Sequence, residues 1–276
     1  MTFESVDGKS ILITGGSHGF GEALARRMAA AGGFVTVADI DSDRGTSVAN
    51  DIGGAFVRTD VTSWEDNQKA VAAAVSAGEG LDIVILNAGV TSGLGLGDDF
   101  DPERYRRVMA INLDGVVYGM AASLPILKLR GGGDIIATAS MAGIAPTPFD
   151  PIYATNKSAV VGLVRSFGLA SVADGIRTNA VCPAFADTRI LGHMRQGLID
   201  AGVPLLTVDE VVDVYSEVLD SDASGECWFV QPGRPSERFA FRRAPGPRRT
   251  DGSSAAAADP ETQLELERQA KAAGTS

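Results

Sequence analysis

Short runs rich in β-branched residues alternate along this chain with longer amphipathic stretches. Strand-like runs occupy residues 10–15 (SILITG), 34–39 (FVTVAD), 55–60 (AFVRTD), 81–89 (LDIVILNAG), 133–140 (GDIIATAS), 176–183 (IRTNAVCP) and 225–233 (GECWFVQPG). Helix-like segments begin near Gly19, Ser42, Ser63, Asp101, Ile152 and Val208. Six strand–helix alternations closed by a last strand predict an α/β fold: a Rossmann-type, doubly wound, seven-stranded parallel sheet with helices on both faces. The strands are apolar on both sides, which suits burial by two helical layers.

Local chemistry supports several boundaries. Thr62-Ser63 followed by Glu65 and Asp66 reads as a helix start, as does Asp101-Pro102-Glu103 with proline early in the helix. Pro125 predicts a kink or an end within the segment 102–129. The pattern changes after Gly233. Residues 234–249 hold six arginines and one glutamate, and a low-complexity stretch follows, with one short helix expected around 261–272. The expected organisation is a domain over 1–233 and a C-terminal extension over 234–276, partly disordered or packed on a neighbour.

Composition narrows the function. The chain has 276 residues, a net charge of −11 and 45% hydrophobic residues, enough for one large core. The acidic balance argues against nucleic acid and anionic membrane surfaces. No basic-then-apolar leader and no apolar run of membrane-span length is seen. The two cysteines, Cys182 and Cys227, sit in apolar runs and read as reduced, buried thiols of a cytoplasmic protein. With only His18 and His193 as histidines, no metal-ligand spacing exists.

The first strand runs into Thr14-Gly15-Gly16-Ser17-His18-Gly19-Phe20-Gly21 and then an amphipathic helix. Glycines let backbone approach a pyrophosphate, and the helix N-terminus offers free N–H groups to the anion. Without that context the same glycines would mark only a close strand–helix contact. His18 reads either as a surface donor or as a phosphate contact. Asp39 ends the second strand, where a carboxylate can accept from ribose hydroxyls and repel a 2′-phosphate; this favours NAD over NADP. Asp41 and Asp43 are better placed to cap the following turn.

Tyr153 and Lys157 stand one helical turn apart. The chain has four tyrosines and five lysines, so chance supplies about 0.07 such pairs. A free phenol is a poor base at neutral pH; an adjacent ammonium and a positive nicotinamide favour the phenolate, which can then exchange a proton with a substrate hydroxyl. Ser140 ends the fifth strand. Taken alone it is a strand-end turn residue; beside Tyr153 it can hold the substrate oxygen.

Assembled, these residues resemble the classical short-chain dehydrogenase/reductase family over about residues 6–233. TGGSHGFG is similar to its TGxxxGxG turn, Asn87-Ala88-Gly89 to its NAG strand end, and Ser140, Tyr153 and Lys157 to its catalytic set. Asn112 resembles the helix asparagine that holds a water in the proton relay. Asp60-Val61 resemble the pair beside the adenine, with Ile40 next to Asp39. The resemblance implies that Gly15, Ser17, His18, Gly19, Phe20 and Gly21 hold the pyrophosphate, and that Lys157 also bonds the nicotinamide ribose. It implies that Pro183, Phe185 and Thr188 hold the carboxamide. Ala184 departs from the usual glycine, and a Cβ there is expected to crowd the nicotinamide or shift the backbone. The implied activity is NAD-linked oxidation of a secondary alcohol, or reduction of a ketone, by a homodimer or homotetramer. The alternatives are an NADP-linked ketone reductase and a nucleotide-sensing protein without turnover. Candidate substrate walls are 91–96, 141–149 and 185–203, including Leu94, Met141, Ile144, Phe149, Phe185, Ile190, Leu191 and Met194. They suit an apolar, cyclic or aromatic substrate, or are ordinary loop packing, with Arg189, His193 and Arg195 available to a polar group.

Overall fold

In a computed structural model the strands are β1 (Ser10–Thr14), β2 (Phe34–Asp39), β3 (Ala55–Arg58), β4 (Ile83–Leu86), β5 (Gly133–Thr138), β6 (Ile176–Pro183), β7 (Cys227–Val230) and β8 (Glu237–Arg238). The structure describes every residue except 1–2, 94, 99, 193, 243–244, 252, 256–258 and 273–276. Leu94 and His193, expected in the substrate walls, lie outside the described residues. The sheet order is β3-β2-β1-β4-β5-β6-β7-β8. The first seven strands are parallel, and β8 pairs antiparallel to β7. The expected seven-stranded sheet is thus corrected to eight. The added strand has only two residues, too few to leave an alternating pattern in the sequence.

The helices are α1 (Gly19–Ala30), α2 (Ser42–Ile52), α3 (Trp64–Ala77), α4 (Pro102–Met109), α5 (Gly115–Arg130), α6 (Pro151–Ser171), α7 (Met194–Asp200), α8 (Val208–Asp220) and α9 (Pro260–Ala272). Helix α1 packs on α2 and α8; α3 packs on α5, and α6 meets the turn that precedes α5. All five residues of β1 are buried, as burial by helices on both faces requires. Strand order reverses beside β1, so a crevice opens at the carboxyl ends of β1 and β4.

Caps fix the helix starts. Ser63 accepts from the Asp66 N–H, and Asp101 accepts from the Glu103 and Arg104 N–H groups. Asp41 caps α2 by accepting from Arg44 N–H, as the charge pattern suggests. Pro125 does not end its helix. Helix α5 continues to Arg130, because Pro125 and Ala121, whose carbonyl loses its partner, both lie on the exposed side. The irregularity falls earlier, in a π turn over Ala110–Asp114. Contrary to the sequence expectation, the continuous stretch Pro102–Arg130 is long and apolar enough to cross a membrane by length and composition, yet α5 packs against α3, β4 and β5.

The chain divides into compact units over Met1–Arg238 and Phe239–Ser276. The second unit contains α9, close to the helix expected at 261–272, and an edge-on contact between Phe239 and Phe241 with ring centroids 4.9 Å apart.

Helix α6 lies against the approach to β7 through Gly168. A Cβ there would sit 2.3 Å from Gly225 N and 2.7 Å from Thr178 O, both backbone atoms that cannot turn aside. Gly168→Ala should therefore cost roughly 1–3 kcal/mol and lower Tm by about 5 °C. An unchanged thermal unfolding curve would show that α6 does not need this close seat.

Candidate active site

The ends of β1, β2, β4, β5 and β6 converge on the crevice. Gly15 follows β1 at φ 65°, a left-handed conformation costly for other residues, and a Cβ on it would lie 2.8 Å from Ala88 Cα. Asn87 secures the turn, donating from Nδ2 to Thr14 O at 3.2 Å and Gly15 O at 3.1 Å. Its Oδ1 accepts from Thr138 Oγ1 at 3.1 Å, and Thr138 Oγ1 also lies 2.6 Å from the buried Tyr215 hydroxyl. The turn, two strand ends and α8 are thereby joined in one polar chain.

The turn opens α1 with His18 at the N-cap, where its side chain makes no capping bond. The imidazole lies 3.7 Å from an Asp41 oxygen. The Phe20 ring packs against the apolar core, so only its backbone faces an anion site. Asp39 accepts from the Ser17 and Asp41 N–H groups, each at 3.0 Å, one per carboxylate oxygen. Each oxygen keeps a further acceptor position. Ile40 is exposed beside it. Asp60 spends one oxygen on Thr62, accepting from its N–H at 3.0 Å and its hydroxyl at 2.8 Å, and Val61 is buried. An open cavity of about 770 Å³ at the turn is lined by His18, Gly19, Glu22, Arg44, Thr188 and Arg189, among others.

Tyr153 and Lys157 share the inner face of α6, with the ammonium 5.7 Å from the phenol ring centroid. Lys157 Nζ donates to Thr138 O at 2.8 Å, at the end of β5. Burial drives its pKa down to about 8, partly opposed by Cys182. Withdrawal from solvent raises the Tyr153 phenol to about 12, opposed by a hydrogen bond with Ser140 and reinforced by the Asp150 and Cys182 charges. Ser140 Oγ accepts from Ala142 N–H at 3.1 Å, capping a turn as a strand-end residue does, and it also bonds the phenol.

Asn112 is fully buried in the π turn. Its side chain exchanges two hydrogen bonds with the Val90 backbone, at 2.8 and 2.7 Å, and donates to Asn156 Oδ1 at 3.1 Å. Gly89 stands between these groups: a Cβ on it would lie 3.3 Å from Asn112 Oδ1 and 3.5 Å from Lys157 Nζ. Pro183 ends β6, and its carbonyl accepts weakly from Ser140 Oγ at 3.5 Å. Ala184 is partly buried and packs against the apolar core. Phe185 faces Phe149, with centroids 6.0 Å apart.

Several features fit a dinucleotide. The buried Thr188 hydroxyl has no protein partner among the described residues, and Thr188 carbons lie 3.8–3.9 Å from where a Gly19 Cβ would sit. Asp39 has spare acceptor positions, and Lys157 Nζ has donors beyond the one given to Thr138. Thr138 and Asp150 escaped the sequence reading. Asp150-Pro151 repeats the cap signature of Asp101-Pro102, so Asp150 was detectable; Thr138 carried no comparable signal.

Comparisons with known proteins agree with this arrangement. A family profile described as short chain dehydrogenase matches residues 9–198. The chain is 36% identical over 217 residues to a 2,5-dichloro-2,5-cyclohexadiene-1,4-diol dehydrogenase of Sphingobium indicum, covering 77% of this chain and 86% of that one. It superposes on a 3-ketoacyl-(acyl-carrier-protein) reductase from Brucella melitensis complexed with NADH with TM-score 0.76 and 27% identity, over 83% of this chain and 99% of that one. An NADPH-dependent 3-quinuclidinone reductase from Rhodotorula rubra gives TM-score 0.74 and 25% identity, over 84% and 93%.

The buried ammonium makes stability depend on pH. Lys157 titrates near 8 when folded and near 10.5 when unfolded, so its desolvation cost is full below pH 8 and disappears as pH rises toward 10.5. Cofactor-free wild type should gain denaturant resistance across that window relative to Lys157→Met. Parallel midpoints for the two proteins would show that the ammonium is not desolvated.

Proposed function

The chain belongs to the short chain dehydrogenase family and is an oxidoreductase that moves hydride between a nicotinamide cofactor and a hydroxyl or carbonyl substrate; we propose that its cofactor is NAD and its substrate an apolar cyclic secondary alcohol or ketone. The observation that carries this reading is the cluster of Ser140, Tyr153 and Lys157 at the sheet's carboxyl edge, together with a glycine turn whose Ser17 N–H donates to the Asp39 carboxylate at the end of β2.

In this proposal Gly15, Ser17, His18, Gly19, Phe20 and Gly21 take the pyrophosphate on backbone N–H groups and the α1 dipole. Asp39 accepts from the adenosine ribose, with Ile40, Asp60 and Val61 around the adenine. Asn87, Ala88 and Gly89 form the crevice wall, and Pro183, Phe185 and Thr188 hold the nicotinamide end. The bound nicotinamide supplies the hydride acceptor in oxidation and the donor in reduction. Ser140 Oγ holds the substrate oxygen. The Tyr153 phenolate takes the hydroxyl proton as hydride leaves carbon, and the phenol returns one in reduction. Lys157 bonds the nicotinamide ribose, keeps positive charge near the phenolate and lies on the proton path past Asn112. Because burial holds the phenol high, oxidation should strengthen toward alkaline pH and reduction toward neutral pH.

The Phe149–Phe185 pair, with Met141 and Ile144 nearby in the chain, supports a flat or cyclic apolar substrate. The cyclic diol named for the Sphingobium indicum relative is consistent with this. Asp39 favours NAD, and Arg44, which lines the phosphate cavity, is paired with Glu22 instead of standing free for a 2′-phosphate. Arg44 and Arg189 in that same cavity also support a second reading, an NADP-linked ketone reductase. The two buried, unbridged thiols favour a cytoplasmic setting, and the family resemblance favours a homodimer or homotetramer. We take residues 1–238 as the catalytic domain, five residues beyond the expected boundary because β8 belongs to the sheet, and 239–276 as an extension to it.

Two measurements test this. Tyr153→Phe should bind NADH as wild type does while turnover falls about 10²- to 10⁴-fold; undiminished turnover would remove Tyr153 as the acid/base. Isothermal titration should give tighter NADH than NADPH binding in wild type, and Asp39→Ala should reduce that preference about tenfold. Tighter NADPH binding by wild type would establish the second reading.

A further inference from the structure

The loop after β4 is fastened to the helix that carries Tyr153 through one buried carboxylate. Asp150 is 3% exposed and Ser92 is fully buried. The Asp150 oxygens divide their work. Oδ1 accepts from the Tyr153 N–H at 2.9 Å, closing the first turn of α6, and bonds the Ser92 hydroxyl. Oδ2 accepts from the Ser92 N–H at 3.1 Å and the Gly93 N–H at 2.8 Å. Four donors from two segments 57 or more residues apart therefore converge on one side chain. A helix cap needs only one of these oxygens.

We propose that Asp150 is a positioning residue that locks the substrate-wall loop at 90–93 onto the Tyr153 end of α6. This rests on the oxidoreductase reading given above. A buried carboxylate with four N–H or O–H donors tolerates little displacement, because any donor that leaves exposes an unpaired group in a dry site. The loop and the phenol consequently move as one body. Asn112 ties the same loop from the opposite side by bonding Val90, so the wall has two anchors, one at each of its ends. The charged or titratable groups around the phenol are Asp150 and Lys157 on α6 and Cys182 on β6, with the Ser140 hydroxyl from β5. Arg104 of α4 lies beside the loop at Gly93. Among these Asp150 and Cys182 oppose the phenolate, Asp150 the more strongly.

Asp150→Asn separates the two functions of the carboxylate. Asparagine caps a helix as well as aspartate, so Oδ1 can still serve Tyr153 N–H. Its Nδ2 then faces two N–H donors and repels them. The variant should raise KM about tenfold with little loss of kcat, and shift the alkaline limb of alcohol oxidation to lower pH, since phenolate formation becomes easier. Ser92→Ala keeps the charge and removes one loop contact; it should raise KM without moving the limb.

Two readings require no turnover. Hydrogen exchange at the Ser92 and Gly93 amides should accelerate at least tenfold in Asp150→Asn, with α6 amides still protected. The ζ-carbon NMR signal of ¹³C-labelled Tyr153 should titrate at lower pH than in wild type. Unchanged loop exchange and an unmoved phenol titration in Asp150→Asn would overturn the proposal even in an active enzyme. An intact loop response in a protein that turns over nothing would count against the oxidoreductase reading and leave the lock standing. If Asp150→Asn does not fold, loss of loop protection in Ser92→Ala supports the lock, and unchanged protection there overturns it.

Discussion

Holding an ammonium out of water beside a phenol is the demand that organises this molecule. Among the described residues Lys157 has one protein acceptor, the Thr138 carbonyl at the end of β5. The Lys157 side chain reaches it from α6 because that helix is seated closely on the sheet, with Gly168 against Gly225. Stable desolvation of a cation needs compensation when the site works. A dinucleotide with ribose hydroxyls and a substrate oxygen is the chemistry that the surrounding donors and acceptors suit.

The two ends of the site are mechanically related. Thr138 offers its carbonyl to Lys157 and its hydroxyl to Asn87 and Tyr215, while Asn87 holds the Gly15 turn. Displacing β5 would therefore disturb the proton-transfer groups and the phosphate turn together. The parallel sheet makes this possible by delivering the ends of β1, β4, β5 and β6 to one edge, so short side chains can bridge neighbouring strands. Function is thus concentrated where the fold has strand ends, and the strand interiors contribute only burial.

Much of this was legible in the sequence, for identifiable reasons. The first seven strands are apolar and β-branched, so their pattern is strong; Asp39 and Pro183 end β2 and β6, and Ser140 follows β5 closely. Pairs fixed by local geometry, such as Tyr153 with Lys157 or Asp101 with Pro102, are visible in a one-dimensional string. What failed depended on burial or on distant partners. Pro125 was tolerated because it faces outward on α5. The burial that raises the Tyr153 phenol was not legible either, because a sequence does not show how much water is removed. Strand β8 was too short to show a period, and Thr138 became important only through three partners far along the chain.

The claim beneath all of this is that the cluster of Ser140, Tyr153 and Lys157 serves direct hydride transfer to NAD. The decisive measurement uses cyclic secondary alcohols deuterated at the carbinol carbon, with mass analysis of the NADH formed. The account predicts NADH that carries a single deuterium taken from the alcohol, with none derived from solvent. Unlabelled NADH, or no NADH at all from protein that binds the cofactor tightly, would contradict it.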